Sequence, residues 1–118
     1  MLKETYLSKL AITRQRHPDA EFVAATRTAH SVLAPSEKLL ADYKKAEERL
    51  GDRWKAWNLT NYEARHRKEI NDNPEALKEI KRIKKSSYEK DIYLICYEKE
   101  PPCHRFILLD IIDKIRDG

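Results

Sequence analysis

Apolar positions along the chain switch between two periods, and the switches mark the elements. Residues 2–10, containing Thr5, Tyr6 and Leu7, read as a short strand. Residues 20–27, containing Phe22, Val23, Ala24 and Ala25, read as a buried strand of small side chains. Between them residues 13–19 are basic, polar and interrupted by Pro18, which predicts a loop. After a connector ending at Pro35 the spacing turns helical. Ser36 stands at an N-cap position, Leu39, Leu40, Tyr43, Ala46 and Leu50 recur on one face, and Gly51 stands where a C′ glycine belongs.

Further along, Trp54 and Trp57 mark an expected irregular insertion between helices. Thr60 with Glu63 has the form of a capping box and predicts a second helix over residues 61–70. Asn73 followed by Pro74 opens a third, which turns Leu77, Ile80 and Ile83 inward and Lys78, Lys81, Arg82, Lys84 and Lys85 outward. Residues 91–96, with Ile92, Tyr93, Leu94 and Ile95, form the clearest strand, and residues 97–102 form the loop that ends it. The last helix carries Phe106, Ile107, Leu108, Leu109, Ile111, Ile112 and Ile115, which cover more than one face and predict deep burial. Gross burial of these side chains is worth roughly 10–20 kcal/mol as an upper bound.

Strands separated by helices predict an α/β fold, a small mostly parallel sheet of about three strands packed with about four helices in two or three layers. The length of 118 residues suits a single domain over the whole chain, residues 1–118. The first crossover is the awkward step: residues 11–19 leave little room for a helix, although parallel neighbours need a dozen or more residues between them.

Composition narrows the function classes. With 41% apolar and 37% charged residues the chain reads as globular with an ionic surface. Two glycines exclude a Gly-rich phosphate cradle. A net charge of +4 favours an anionic partner only mildly, because 24 basic residues face 20 acidic ones. Cys96 and Cys103 are too few for a disulfide framework or a four-cysteine zinc site. No apolar run reaches the roughly 20 residues of a membrane helix, and the start lacks an apolar signal core. A cytoplasmic protein with free thiols and no membrane contact is therefore expected.

Chemistry concentrates between the last strand and the last helix, in Cys96-Tyr97-Glu98-Lys99-Glu100-Pro101-Pro102-Cys103-His104-Arg105. Ligands of open α/β sheets bind beyond the carboxyl ends of strands. A helix start there offers unpaired amides and about half a positive charge. Arg105 in the first turn adds a forked donor for phosphate or carboxylate, and Arg27, closing the second strand, is expected to point into the same crevice. Tyr97 and Glu98 are secondary ligand-binding candidates, and His30 borders the site. The same helix field, with His104 and Arg105, is expected to lower the Cys103 thiol pKa, which is how a nucleophilic cysteine is made; the plain alternative is an inert buried thiol. Cys96, inside the strand, reads as a small core residue.

The run from Ile92 through Cys96, Glu98-Lys99 and Cys103-His104-Arg105 resembles the signature of the domain-of-unknown-function 488 family. Its members carry a strand ending in Leu-x-Cys, a Glu-Lys pair, and Cys-His-Arg opening a helix. Val32-Leu33-Ala34-Pro35-Ser36, followed by Leu39-Leu40 and Tyr43-Lys44, is similar to the family's Leu-Ala-Pro-Ser segment, and Trp57 and Tyr62 fall at its aromatic positions. Where members end the second strand with an Asp-Val-Arg-like run, this chain has Ala25-Thr26-Arg27, keeping the Arg and lacking the Asp. The resemblance spans about residue 22 to the C-terminus and implies the α/β fold and the Cys-His-Arg site, with no reaction attached.

Three functional readings follow. The first is binding of a small anionic, phosphate-bearing ligand by the loop and helix start at residues 97–105 with Arg27; its alternative is that Arg27 and Arg105 pair with structural carboxylates such as Glu98 or Glu100. The second is a cysteine-dependent enzyme with Cys103 as nucleophile or redox thiol, His104 assisting and Glu98 moving protons. The third is a nucleic-acid partner on a basic surface of Arg14, Arg16, Arg65, Arg67, Lys68 and residues 78–85, where Glu69, Glu75 and Glu79 interleave and a solvated face is the plain alternative. No cofactor is expected, and no metal: Cys96, Cys103 and His104 with His17, His30 or His66 match no common zinc spacing, and adjacent Cys103 and His104 seldom both reach one ion.

Overall fold

The computed structural model describes residues 1–26, 32–96 and 102–115. Three strands, β1 (Leu2–Tyr6), β2 (Glu21–Ala24) and β3 (Ile92–Cys96), form one parallel sheet in the order β1-β3-β2. β3 is the centre: Leu2 pairs with Ile92 and Tyr6 with Cys96 on one side, and Glu21 pairs with Ile92 and Ala24 with Ile95 on the other. All five residues of β3 are buried, as its unbroken apolar run requires of a strand covered on both faces.

The described residues hold six α-helices where about four were expected: α1 (Leu10–Arg16), α2 (Glu37–Leu50), α3 (Arg53–Leu59), α4 (Tyr62–Asn71), α5 (Pro74–Ser87) and α6 (His104–Lys114). The α/β class and parallel sheet agree with the sequence; the two extra helices fall where a loop and an irregular insertion were expected. The first strand ends early at Tyr6, and a 3-10 turn over Leu7–Lys9 leads into α1. The crossover is not cramped, because β1 and β2 are not neighbours; β3 lies between them. α3 forms because Asp52, directly after the left-handed Gly51 (φ 64°), caps it by accepting from the Lys55 amide at 3.0 Å. The capping box is also absent. Thr60 donates back to the Ala56 carbonyl at 2.8 Å, and Asn61, at φ 54°, precedes α4 without a side-chain cap.

Two neighbouring residues of β1 show the layering. Side chains alternate along a strand. The Thr5 hydroxyl lies 3.1 Å from that of Thr13 on α1, whereas Glu4 meets Arg105 of α6 at 2.6 Å. α1 and α6 therefore cover opposite faces. On the α6 side, Ala25, Leu33, Ile70, Ile80, Ile83, Ile92, Leu94, Leu108 and Ile112 build the main core. A second cluster of Leu39, Trp57, Tyr62 and Ile107 joins α2, α3 and α4 to α6. Within α6, Ile107, Leu108 and Ile112 are fully buried, and Phe106, Leu109 and Ile111 partly so.

The segment entering α2 is tied down twice. Ser36 accepts from the Leu39 amide, as an N-cap should, and donates its hydroxyl to Glu69 of α4 at 2.6 Å. His66, one turn earlier on α4, bonds the Leu33 carbonyl at 3.0 Å through Nε2. The Leu-Ala-Pro-Ser segment is thus clamped to α4, which carries the buried stripe Tyr62, His66 and Ile70. Among the described residues no helix is long and apolar enough to cross a membrane.

Candidate functional site

β3 ends on Cys96, and Cys103 occupies the position before α6 with extended backbone (φ −154°, ψ 144°). This brings the two sulfurs to 2.7 Å, about 0.7 Å more than a disulfide bond. Neither sulfur is in a disulfide, and both are buried. His104, the first residue of α6, turns its ring into the same place. Its Nε2 makes a short hydrogen bond to the Ala25 carbonyl beyond β2, and its Nδ1 lies 3.8 Å from the Cys96 sulfur. A carbonyl only accepts, so Nε2 carries a proton, and in the neutral tautomer this fixes, the Nδ1 lone pair is the atom that faces Cys96.

The sequence pointed to Cys103 with His104 as its helper. The structure brings both together with Cys96 and directs the imidazole at Cys96. The pull of the helix start on the Cys103 pKa is outweighed. The pKa is strongly raised, first by the neighbouring Cys96 sulfur and then by burial, while the amide and charge of Arg105 pull weakly the other way. Two sulfurs this close hold one proton between them long after the first has left.

Arg105 is 1% exposed. Its Nε donates to Glu4 at 2.6 Å, and its guanidinium carbon lies 4.4 Å from the Phe106 ring centre. A carboxylate partner among the described residues is Glu4, across the sheet, and that pair is an internal tie between α6 and β1. Arg27, Tyr97, Glu98, Glu100 and His30 lie outside the described residues. The basic surface is largely matched by acids: Arg65 pairs with Asp42, Arg67 with Glu63 and Asp110, Lys68 with Asp72, and Arg82 with Glu79 and Glu21.

Behind the thiols runs a file of rings. Trp57 stacks on Tyr62 at 4.1 Å between centroids, Tyr62 meets His66 edge-on at 6.3 Å, and His66 meets His104 edge-on at 5.6 Å. The Tyr62 phenol pKa is raised by burial and then by the two thiols. His66, fully buried, is pulled down to about 4 by burial and then by His104, so it is neutral at pH 7. Cys103 also forms part of the wall of an open hollow of about 250 Å³, shared with Trp54, Trp57, Arg67, Pro102 and Phe106. Arg53 of α3 holds the Pro102 carbonyl at 2.9 Å and so fixes the approach to Cys103. Another hollow, of about 370 Å³ near Asn71, Leu77 and Ile111, has no cysteine or histidine among the described residues of its wall.

Cys96, Cys103 and His104 are also a set that could hold a metal: their ligand atoms all lie within 4.8 Å of one another. The sequence marks Cys96 only as a small core residue and gives no sign of Glu4 or of the backbone carbonyl of Ala25. It also leaves His66 as one remote histidine among three, although the spacing of Tyr62, His66 and Ile70 at successive fourth positions marks it as facing inward.

The family model described as the active DUF488-N3 subclade, DUF488-N3a, matches residues 4–116. No curated protein and no solved structure matches the chain. The chain belongs to the DUF488 family, within that subclade.

Proposed function

We propose that this member of the DUF488 family is a thiol-dependent enzyme whose working atoms are the sulfurs of Cys96 and Cys103 and the imidazole of His104. One observation carries the reading: the sulfurs lie 2.7 Å apart, with the Nδ1 lone pair of a histidine 3.8 Å from one of them. The Ala25 carbonyl fixes the tautomer, as an orienting group does for a catalytic base. The subclade description, active, agrees with this reading.

The arrangement supports a proton relay. His104 Nδ1 takes the proton of Cys96, and the Cys96 thiolate takes that of Cys103. Cys103, on the wall of the hollow, becomes the nucleophile. At rest Cys103 keeps its proton, in line with its raised pKa. With a small organic disulfide as co-reactant the steps balance. Cys103 bonds one substrate sulfur, and the other leaves as a thiolate and takes the proton held by His104. Cys96 then attacks Cys103, forming the internal disulfide and expelling the second thiol with the remaining proton. Two electrons pass from the dithiol to the substrate.

Rapid mixing of the reduced, metal-free protein with glutathione disulfide, followed by mass spectrometry, tests the reading. Loss of both thiols in the folded wild type is expected. His104→Gln should slow it by about 10²-fold, the low end of general-base contributions. Thiols that stay inert in the folded protein, or an unchanged rate in His104→Gln, would contradict it.

A further inference from the structure

Two buried imidazoles in the interior are set in the same way. His104 donates from Nε2 to the Ala25 carbonyl, and His66 donates from Nε2 to the Leu33 carbonyl. Each therefore has an Nδ1 lone pair to offer. That of His104 faces Cys96, and that of His66 is buried with no hydrogen-bond partner among the described residues. An imidazole with one nitrogen anchored on a backbone carbonyl and the other bare is the arrangement metal-ligating histidines adopt. A buried acceptor left without a donor also costs free energy, which a bound cation would remove.

We infer that Cys96, Cys103 and His104, with His66 as the fourth ligand, form a binding site for a thiophilic divalent cation, zinc in the first place. The donor set is two thiolates and two imidazoles, which suits a tetrahedral zinc. The separations can be checked against that geometry. Metal–sulfur and metal–nitrogen bonds of about 2.3 and 2.0–2.1 Å at tetrahedral angles put sulfur and nitrogen about 3.6 Å apart and two sulfurs about 3.8 Å apart. Cys96 Sγ and His104 Nδ1, at 3.8 Å, already have that spacing. The sulfurs, at 2.7 Å, must open by about 1 Å, a small turn of the Cys103 side chain. His66, whose ring centre lies 5.6 Å from that of His104 and whose nitrogens lie outside the three-residue set, must swing inward to complete the tetrahedron. Adjacent residues such as Cys103 and His104 seldom both reach one ion, and here the local backbone brings them together. With Cys103 extended and His104 the first helical residue, their ligand atoms and that of Cys96 fit within 4.8 Å. Charge balances as well: two thiol protons leave to solvent, and two thiolates neutralise the divalent ion.

The inference uses the same cluster as the proposed thiol chemistry but not its reaction, and bound metal would hold both sulfurs in a closed state. The test is titration of the reduced full-length protein with cobalt(II), then displacement by zinc. One equivalent should bind, with thiolate-to-cobalt charge-transfer absorption, the strong visible bands of a tetrahedral ion, and release of about two protons. His66→Gln should keep the thiolate band and lose affinity by about 10-fold or more; the cost of a lost outer-shell partner is already of that size. Unchanged affinity would overturn the role of His66. If wild type shows no thiolate-to-cobalt band, the site does not exist, whatever the variants do. Oxidation of the metal-free protein by glutathione disulfide then separates the two ideas: reactive thiols without cobalt binding leave the enzyme reading standing alone, and cobalt binding with inert thiols leaves the metal site alone.

Discussion

Cys96 and Cys103 stand seven positions apart in the chain and 2.7 Å apart at sulfur. Cys96 is the last residue of the central strand and Cys103 the residue before the last helix. The parallel sheet fixes the first, and burial of Ile107, Leu108 and Ile112 of α6 fixes the second. The thiol pair is thus held by the core on both sides.

Arg105 is buried and bonded to Glu4 at 2.6 Å. Glu4→Gln removes the charge that faces the guanidinium. A loss of about 1–3 kcal/mol is expected, less than for a fully buried pair because the Glu4 side chain is 37% exposed. Denaturant unfolding measures it. Inorganic phosphate should not restore the loss if Arg105 is a structural tie.

Ser36 has two duties, capping α2 at the Leu39 amide and donating to Glu69. Asp52 has one described here, capping α3 at the Lys55 amide. Ser36→Ala should cost about 1–2 kcal/mol and Asp52→Ala about 1 kcal/mol or less. Equal costs by denaturant midpoint would mean that the hydroxyl bond to Glu69 contributes nothing beyond the amide bond to Glu69 that the variant keeps.

Glu21 is held below the usual carboxylate range, first by the Arg82 guanidinium and then by Lys90, against a raising effect of partial burial. A carboxyl whose pKa is lower in the folded state adds stability above its unfolded value near 4.5 and loses it as the pH falls through the folded value. Glu21→Gln should therefore be less stable than wild type at pH 7, by about 0.5–1 kcal/mol, and the gap should close in acid. Thermal melts from pH 7 to pH 2 check it; a gap that stays constant would show that the charge is not its cause.

Much of the fold was legible where residues advertise a boundary. Ser36, Gly51 and the Asn73-Pro74 pair each mark a helix end that the structure contains. α1 was hidden because it buries only Thr13, so no apolar stripe announces it. α3 was hidden because its cap, Asp52, directly follows the glycine that ends α2. At the site, Cys103 and His104 could be named from their place at a helix start. Their relation to Cys96 depends on how the chain turns back, and the tie to Glu4 spans 101 positions, beyond the reach of any local pattern.

The reactive dithiol is tested most directly by trapping its intermediate. Cys96→Ser, reduced, metal-free and shown to be folded, is exposed to glutathione disulfide and mapped by peptide mass spectrometry. The account predicts a glutathione mixed disulfide that forms more slowly than the wild-type reaction, because the relay through Cys96 is lost, and then accumulates on Cys103, while wild type proceeds to an internal Cys96–Cys103 bond. A folded variant whose Cys103 stays reduced, or a wild type that never closes the internal bond, would contradict it.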